Sequence, residues 1–154
     1  MNVTYCKSWF RALKEPTELW SLEKAEQAHG NRQPYGVLIG DPKAPTRFLE
    51  INNDFVGVGF LDDRLRESLT YQFQEIEPGK LFLSMVTYRE FEGDSDAVTS
   101  GTTYYFSTDG SIKIERESFD SHKLEMSESK EDVSGNYEDY PDFGQYDSLV
   151  RAER

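Results

Sequence analysis

The chain has 154 residues, a formal net charge of −12 and a hydrophobic fraction of 36%. This length suits one domain spanning 1–154, which can bury enough surface to fold without disulfides or a metal ion. A surface this acidic repels nucleic acid and favours a basic protein partner. The lone cysteine, Cys6, cannot form an internal disulfide, and the N-terminus lacks the basic-then-apolar order of a signal peptide. Because no apolar run is long enough to cross a membrane, we expect a cytoplasmic protein with no membrane association.

Residues 3–28 are predicted to form two short helices. Large apolar side chains recur there at three- and four-residue steps, the spacing of an apolar helix face: Trp9, Phe10, Leu13, Leu19, Trp20 and Leu22. Pro16 cannot continue the first helix but suits the first turn of a second one. Gly30 is a suitable C-terminal stop.

From Tyr35 onward the pattern changes to the alternation typical of strands. Seven strands are predicted at residues 35–40, 46–51, 55–61, 69–73, 81–91, 102–106 and 111–116, with a weaker one at 122–126. Pro78-Gly79 and Asp109-Gly110 are strong turn signals between neighbouring strands. The sequence therefore predicts an α+β fold. N-terminal helices pack on an antiparallel meander of six to seven strands (35–126), and an irregular acidic extension follows (127–154).

Acids and aromatics alternate between Tyr137 and Asp147, inside a C-terminal third that is strongly acidic. From Asp120 onward ten acids face four bases, so this third carries −6 of the net charge. One interpretation is a solvated extension anchored by its aromatic side chains. The other is a decoy for a basic groove, in which carboxylates take phosphate positions and aromatics act as interface anchors.

The predicted partner-binding residues fall into two sets. The C-terminal set is Glu138, Asp139, Tyr140, Asp142, Phe143 and Tyr146, and the second set is Asp62, Asp63, Glu92, Asp94 and Asp96.

No catalytic or metal-binding constellation stands out. His29 and His122 lie far apart, without the four ligands that zinc requires. In a strand, Ser121 would point away from Asp120 and His122, which disfavours a triad. The segment 92–96 comes near a calcium loop but lacks its closing glutamate. We therefore expect no enzyme activity, no cofactor and no metal.

Several stretches resemble the small immunity proteins that are encoded beside bacterial polymorphic toxins of the contact-dependent and Rhs types. They are Gly57–Asp62, Leu65–Phe73, Lys80–Leu83, Tyr88–Phe91 and the ending Asn136–Arg154. The resemblance implies a cytoplasmic protein that binds and neutralises a cognate toxin domain, very often a nuclease. It carries over no binding residue by position. We expect a monomer or weak dimer.

Two other classes of function are open at this point. A small-ligand-binding protein or enzyme could use a cavity under the bare face of Gly57 and Gly59, lined by Tyr71, Tyr88 and Tyr104. A regulatory module could instead self-associate through an uncovered sheet edge.

Overall fold

The structure, a computed structural model, describes residues 2–154 and consists mainly of antiparallel strands. The strands are β1 (Val3–Cys6), β2 (Trp9–Phe10), β3 (Glu15–Pro16), β4 (Leu19–Trp20), β5 (Tyr35–Asp41), β6 (Ala44–Ile51), β7 (Phe55–Leu61), β8 (Glu67–Glu77), β9 (Lys80–Phe91), β10 (Val98–Phe106), β11 (Ser111–Ser118), β12 (Lys123–Lys130) and β13 (Tyr137–Asp139). Among the described residues there is one α-helix, α1, which spans Leu22–Gly30, and a short 3-10 turn spans Ser134–Asn136. No helix in residues 2–154 is both long and apolar enough to cross a membrane.

The predicted fold class is wrong at the N-terminus, because most of residues 3–28 is not helical. β1 pairs with β5, placing Tyr5 opposite Val37, and β2 and β3 form a separate hairpin. The apolar side chains at helical spacing do not share a buried face. Trp9 is buried, whereas Leu13 and Leu19 are more than 60% exposed. Pairing with a distant strand, which the local spacing cannot reveal, overrides the helical pattern.

The helix that does form has ordinary end signals. The Ser21 hydroxyl accepts a hydrogen bond from the Lys24 N–H (3.2 Å), which caps the N-terminus. Ala25 and Ala28 are buried against the sheet. The helix ends at Gly30, the predicted stop, so that prediction is confirmed.

The eight strands predicted between residues 35 and 126 are present, but they belong to a larger sheet than predicted. Its eleven strands follow the order β12-β11-β10-β9-β8-β7-β6-β5-β1-β4, with β13 added beside β9. All their pairings are antiparallel. Gly79 and Gly110 occupy the left-handed region (φ +80° and +93°), as the two predicted turns require.

One row of paired residues shows where the core lies. Across the sheet this row reads Tyr5, Val37, Leu49, Val58, Tyr71, Val86, Tyr104, Ile114 and Ser127. The first six are buried, the next two are half-buried and Ser127 is exposed. We call this side of the sheet the helix face, because α1 packs on it. The strands β10–β12 extend beyond its core as a three-stranded arm.

The opposite side of the sheet, which we call the hairpin face, carries a second small core. Cys6, Leu38 and Phe48 are buried there beneath Trp9 of the β2–β3 hairpin. The Phe48 ring lies against the backbone of Gly59, so the missing Cβ of this glycine makes room for the ring.

The predicted irregular extension at 127–154 is also corrected. β12 continues to Lys130, and β13 then pairs with the start of β9, setting Tyr137 opposite Phe82. The chain next crosses the helix face, where Tyr146, Leu149 and Val150 are buried in the main core. We call residues 131–154 the tail; it is an integral part of the packed structure.

Candidate partner-binding surface

The three predicted aromatic contacts of the tail are anchors that hold it on the sheet. The Tyr146 ring is fully buried, and its hydroxyl lies 3.1 Å from that of Tyr35 and 3.4 Å from that of Tyr5. Burial raises the pKa of all three hydroxyls well above the ordinary value, so they remain neutral. The half-buried Phe143 stacks on Tyr5 at 5.1 Å, and the Tyr140 hydroxyl donates to the Asn52 carbonyl (2.6 Å). These rings therefore position the tail's polar groups.

The predicted carboxylates of the tail differ in their surroundings. Glu138 is 10% exposed and accepts from Arg151 (2.9 Å) and Arg154 (2.8 Å), so its charge is neutralised within the chain. Asp139 is exposed at the sheet edge, where it lies opposite Lys80 in the β13–β9 ladder. Asp142 is exposed on the helix face and forms no ion pair with a described base.

The second predicted set is brought together by the structure. Arg66 pairs with Asp62 (2.8 Å) and donates to the carbonyls of Gly93 (2.8 Å) and Ser95 (2.9 Å), which ties the turn after β7 to the loop after β9. Two further pairs, Arg64 with Asp94 (3.0 Å) and Lys14 with Asp96 (2.8 Å), use two more of its carboxylates. Asp63 and Glu92 are exposed and lack such a pair. This set is therefore largely compensated by bases.

The two sets lie at opposite ends of β9. Asp139 pairs with Lys80 at the start of this strand, and Arg66 lies over Phe91 at its end. Eleven residue steps of about 3.3 Å separate these ends by roughly 35 Å. The two predicted sets therefore form two separate surfaces.

Exposed carboxylates without ion-pair partners lie on the two segments that pack on the helix face. They are Glu23 and Glu26 on α1 with Asp142 and Asp147 on the tail, and we call this set the helix–tail acidic surface. All four are exposed, and none forms an ion pair with a described base. Burial and Arg32 lower the pKa of His29, and the nearby charge of Asp142 opposes them. Because His29 also contacts Phe143 (5.7 Å), the helix and tail portions of this surface adjoin.

The hairpin face of the arm is exposed and mixed in character. Leu124 and Met126 are more than half exposed and lie opposite Glu117 and Glu115 in the β11–β12 ladder. The Tyr105 hydroxyl on the same face donates to Glu115 (3.2 Å). This surface is on the other side of the sheet from the helix–tail acidic surface.

An aromatic groove lies on the helix face where the arm meets the tail. Its volume is about 450 Å³, and its lining includes the predicted Tyr71, Tyr88 and Tyr104. Gly57 and Gly59, however, lie on the opposite face, where the rings of Phe55 and Phe48 fill the space beside them. The three tyrosines thus share a cavity, and the predicted relation of that cavity to the glycines is wrong.

Sequence reasoning missed an ionic cluster beneath the β2–β3 hairpin. Glu67, 13% exposed, accepts from Arg11 (2.9 Å) and from the Thr70 hydroxyl, and Arg11 also pairs with Glu50 (2.8 Å). Arg89 donates to the Thr70 hydroxyl (2.8 Å). Arg11, Glu67 and Arg89 together line a cavity of about 440 Å³. The Arg11–Glu67 pair spans 56 positions, so no local motif could reveal it. Since these charges satisfy one another, the cluster fastens the hairpin to the sheet.

The remaining reactive groups have structural surroundings. Cys6 is buried, and burial raises the pKa of its thiol to about 11, which disfavours the nucleophilic thiolate. The Nδ1 atom of His29 lies 2.8 Å from the Tyr35 hydroxyl, and His122 lies exposed in the turn before β12. Within residues 2–154, no three His, Cys, Asp or Glu side chains are arranged to hold a metal ion.

Comparison of the chain with protein-family models, with curated proteins and with solved structures found no match. The case for a function therefore depends on the surfaces described above.

Proposed function

We propose that the chain is an immunity-type inhibitor that binds a basic toxin domain, of the nuclease class, through the helix–tail acidic surface. The observation that carries the proposal is the set of four exposed carboxylates without ion-pair partners, on a chain of net charge −12. Carboxylates presented in this way attract lysine and arginine side chains and accelerate encounter with a basic partner.

The way the tail is anchored supports this use. Buried Tyr146 and half-buried Phe143 fix the backbone that carries Asp142 and Asp147, so these carboxylates are displayed on a packed segment. A surface that is ordered before binding loses less conformational entropy when the partner arrives.

A nuclease is the class of toxin that such a surface fits best. Nuclease sites bind the phosphate backbone with basic side chains. Exposed carboxylates carry the same sign of charge as the phosphates, so they can bind to the same basic side chains. The resemblance to immunity proteins points to the same class.

The experiment compares two double variants that change the net charge equally. Asp142→Lys/Asp147→Lys alters the helix–tail acidic surface, and Glu117→Lys/Glu128→Lys alters the hairpin face of the arm. The partner is first identified by co-purification from the native host, and its association rate is then measured at several salt concentrations. We expect the first variant to lower the association rate by about tenfold or more and to flatten its salt dependence, with a much smaller change for the second.

Equal effects of the two variants would show that only net charge matters and would overturn the assigned surface. An acidic protein or a small molecule as the native partner would overturn the proposed function itself. Thermal unfolding of each variant checks that the fold is retained.

A further inference from the structure

The aromatic groove offers ring faces that the chain itself does not cover. Tyr88 is 48% exposed, and Tyr104 and Phe106 are half-buried. The Tyr104 and Phe106 rings are nearly parallel (16°) with centroids 6.3 Å apart, and Tyr88 stands edge-on to Tyr104 at 6.1 Å. The groove thus contains a pair of parallel, stacked rings, Tyr104 and Phe106, with Tyr88 set edge-on beside Tyr104.

The polar rim of the groove suits a cation. Asp132 belongs to the lining and is exposed, and hydrogen bonding from the Ser134 N–H lowers the pKa of its carboxyl, so it is ionised. Glu131, the preceding residue, is exposed as well. The one cation of the lining, Arg154, pairs with Glu138 at 2.8 Å, a carboxylate that it shares with Arg151.

The chain itself provides an example of the contact that the groove could make. The guanidinium of Arg154 lies over the rings of Phe73 (4.8 Å) and Tyr71 (5.4 Å) at the tail end of the groove. At the arm end, no guanidinium or ammonium group of the described chain lies over Tyr88, Tyr104 or Phe106. A second planar cation could therefore occupy the arm end in the same manner.

We propose that the aromatic groove binds the guanidinium group of an arginine side chain of the basic partner. This inference rests on the proposed function, since the groove and the helix–tail acidic surface lie on the same face of the sheet. A guanidinium is flat and weakly hydrated, so it stacks on an exposed ring face of the Tyr104–Phe106 pair while its N–H groups donate to Asp132. The groove then acts as the pocket for one anchor residue at the edge of a charge-complementary interface.

The test uses N-acetyl-arginine amide as the probe and N-acetyl-citrulline amide as its neutral isostere. Binding to the whole chain is followed by NMR through the ring resonances of Tyr88 and Tyr104. We expect saturable shifts with the arginine probe, with a Kd on the order of 1–10 mM, and none with the citrulline probe.

Substitutions in the groove test whether binding of the arginine probe depends on the aromatic rings. Tyr104→Leu removes the ring and should weaken binding about fivefold or more, whereas Tyr104→Phe keeps the ring and should bind like the parent. Tyr105→Leu is the matched control, because the next residue of β10 points to the hairpin face. Tyr88→Leu, at a more exposed position, provides a second variant if Tyr104→Leu fails to fold.

Equal binding of both probes, or equal loss with Tyr105→Leu, would overturn the guanidinium assignment. If the arginine probe fails while Asp142→Lys/Asp147→Lys still slows association with a basic partner, only this inference fails. If the probe binds as expected and the native partner proves acidic, the groove assignment stands and the proposed function fails.

Discussion

A Cβ atom at Gly59 would lie 2.2 Å from Cε1 of Phe48. Phe48 is 1% exposed and stacks on Trp9 with ring centroids 6.0 Å apart, so its ring is closely packed on the side away from Gly59 as well. Gly57, on the same strand and the same face, would place a Cβ 3.2 Å from the ring of the half-buried Phe55. Of these two glycines, Gly59 is therefore the one that close packing requires.

We predict that Gly59→Ala lowers the free energy of unfolding by about 1–3 kcal/mol, because the added methyl group overpacks the small core on the hairpin face. Gly57→Ala is the matched control and should change it by less than about 1 kcal/mol, since a less flexible backbone in the unfolded state compensates for the mild contact. Urea unfolding of both variants measures the difference. Equal losses would show that Phe48 moves aside freely.

The protonation of His29 makes the stability of the folded chain depend on pH. Burial, together with Arg32, lowers the pKa of its imidazole below the ordinary 6.5, although the charge of Asp142 opposes the shift. The unfolded chain therefore binds a proton more readily than the folded chain. The stability contributed by neutral His29 is fully present above pH 6.5 and is lost as the pH falls through the lowered pKa.

We predict that the parent loses more stability than His29→Gln when the pH is lowered from about 7.5 to about 5.5. The comparison isolates the contribution of His29, because the two proteins differ at this position alone. The exposed His122 provides the control, because His122→Gln should follow the parent. A His29→Gln variant with the pH dependence of the parent would refute the assignment. The measurement is the unfolding midpoint at each pH.

At the scale of elements, the sequence was informative where neighbouring residues decide the structure. Alternation in 81–91 and 111–116, with glycine at the turns, was sufficient to place β9 and β11. The strands β1–β4 have only two to four residues each, and β1 is held by pairing with β5 some thirty positions later. Such strands have little signal of their own, so the spacing of Trp9 and Leu13 resembled a helix.

The tail shows the same limitation for the candidate site. Alternating acids and aromatics indicated an exposed interface, yet Tyr146 and Leu149 complete the core over strands far away in sequence. The groove tyrosines were grouped correctly because Tyr71, Tyr88 and Tyr104 lie on adjacent antiparallel strands, whose register the alternation implies. Partners between distant segments, such as Arg11 and Glu67, have no local signature.

At the scale of the whole molecule, most of the carboxylates in residues 2–154 form no ion pair, and those of the helix–tail acidic surface are among them. Ion pairs hold Glu138, Asp62 and Glu67, and the four carboxylates of the helix–tail acidic surface have no such partner. Like charges that remain unpaired on a molecule of net charge −12 repel one another and oppose folding. The proposed binding surface therefore reduces stability, as functional sites commonly do.

We therefore predict that Asp142→Asn/Asp147→Asn makes the isolated protein more stable while weakening its binding to a basic partner. The unfolding midpoint should rise by about 1–2 °C at low salt, and this gain should shrink at about 0.5 M NaCl, where the repulsion is screened. Glu138→Gln is the control with a charge change of the same sign. It should lower the midpoint, because it leaves Arg154, whose side chain is 8% exposed, without its carboxylate. If the double variant lowers the midpoint as Glu138→Gln does, Asp142 and Asp147 stabilise the fold. The proposal that these two carboxylates reduce stability in the absence of a partner would then be wrong.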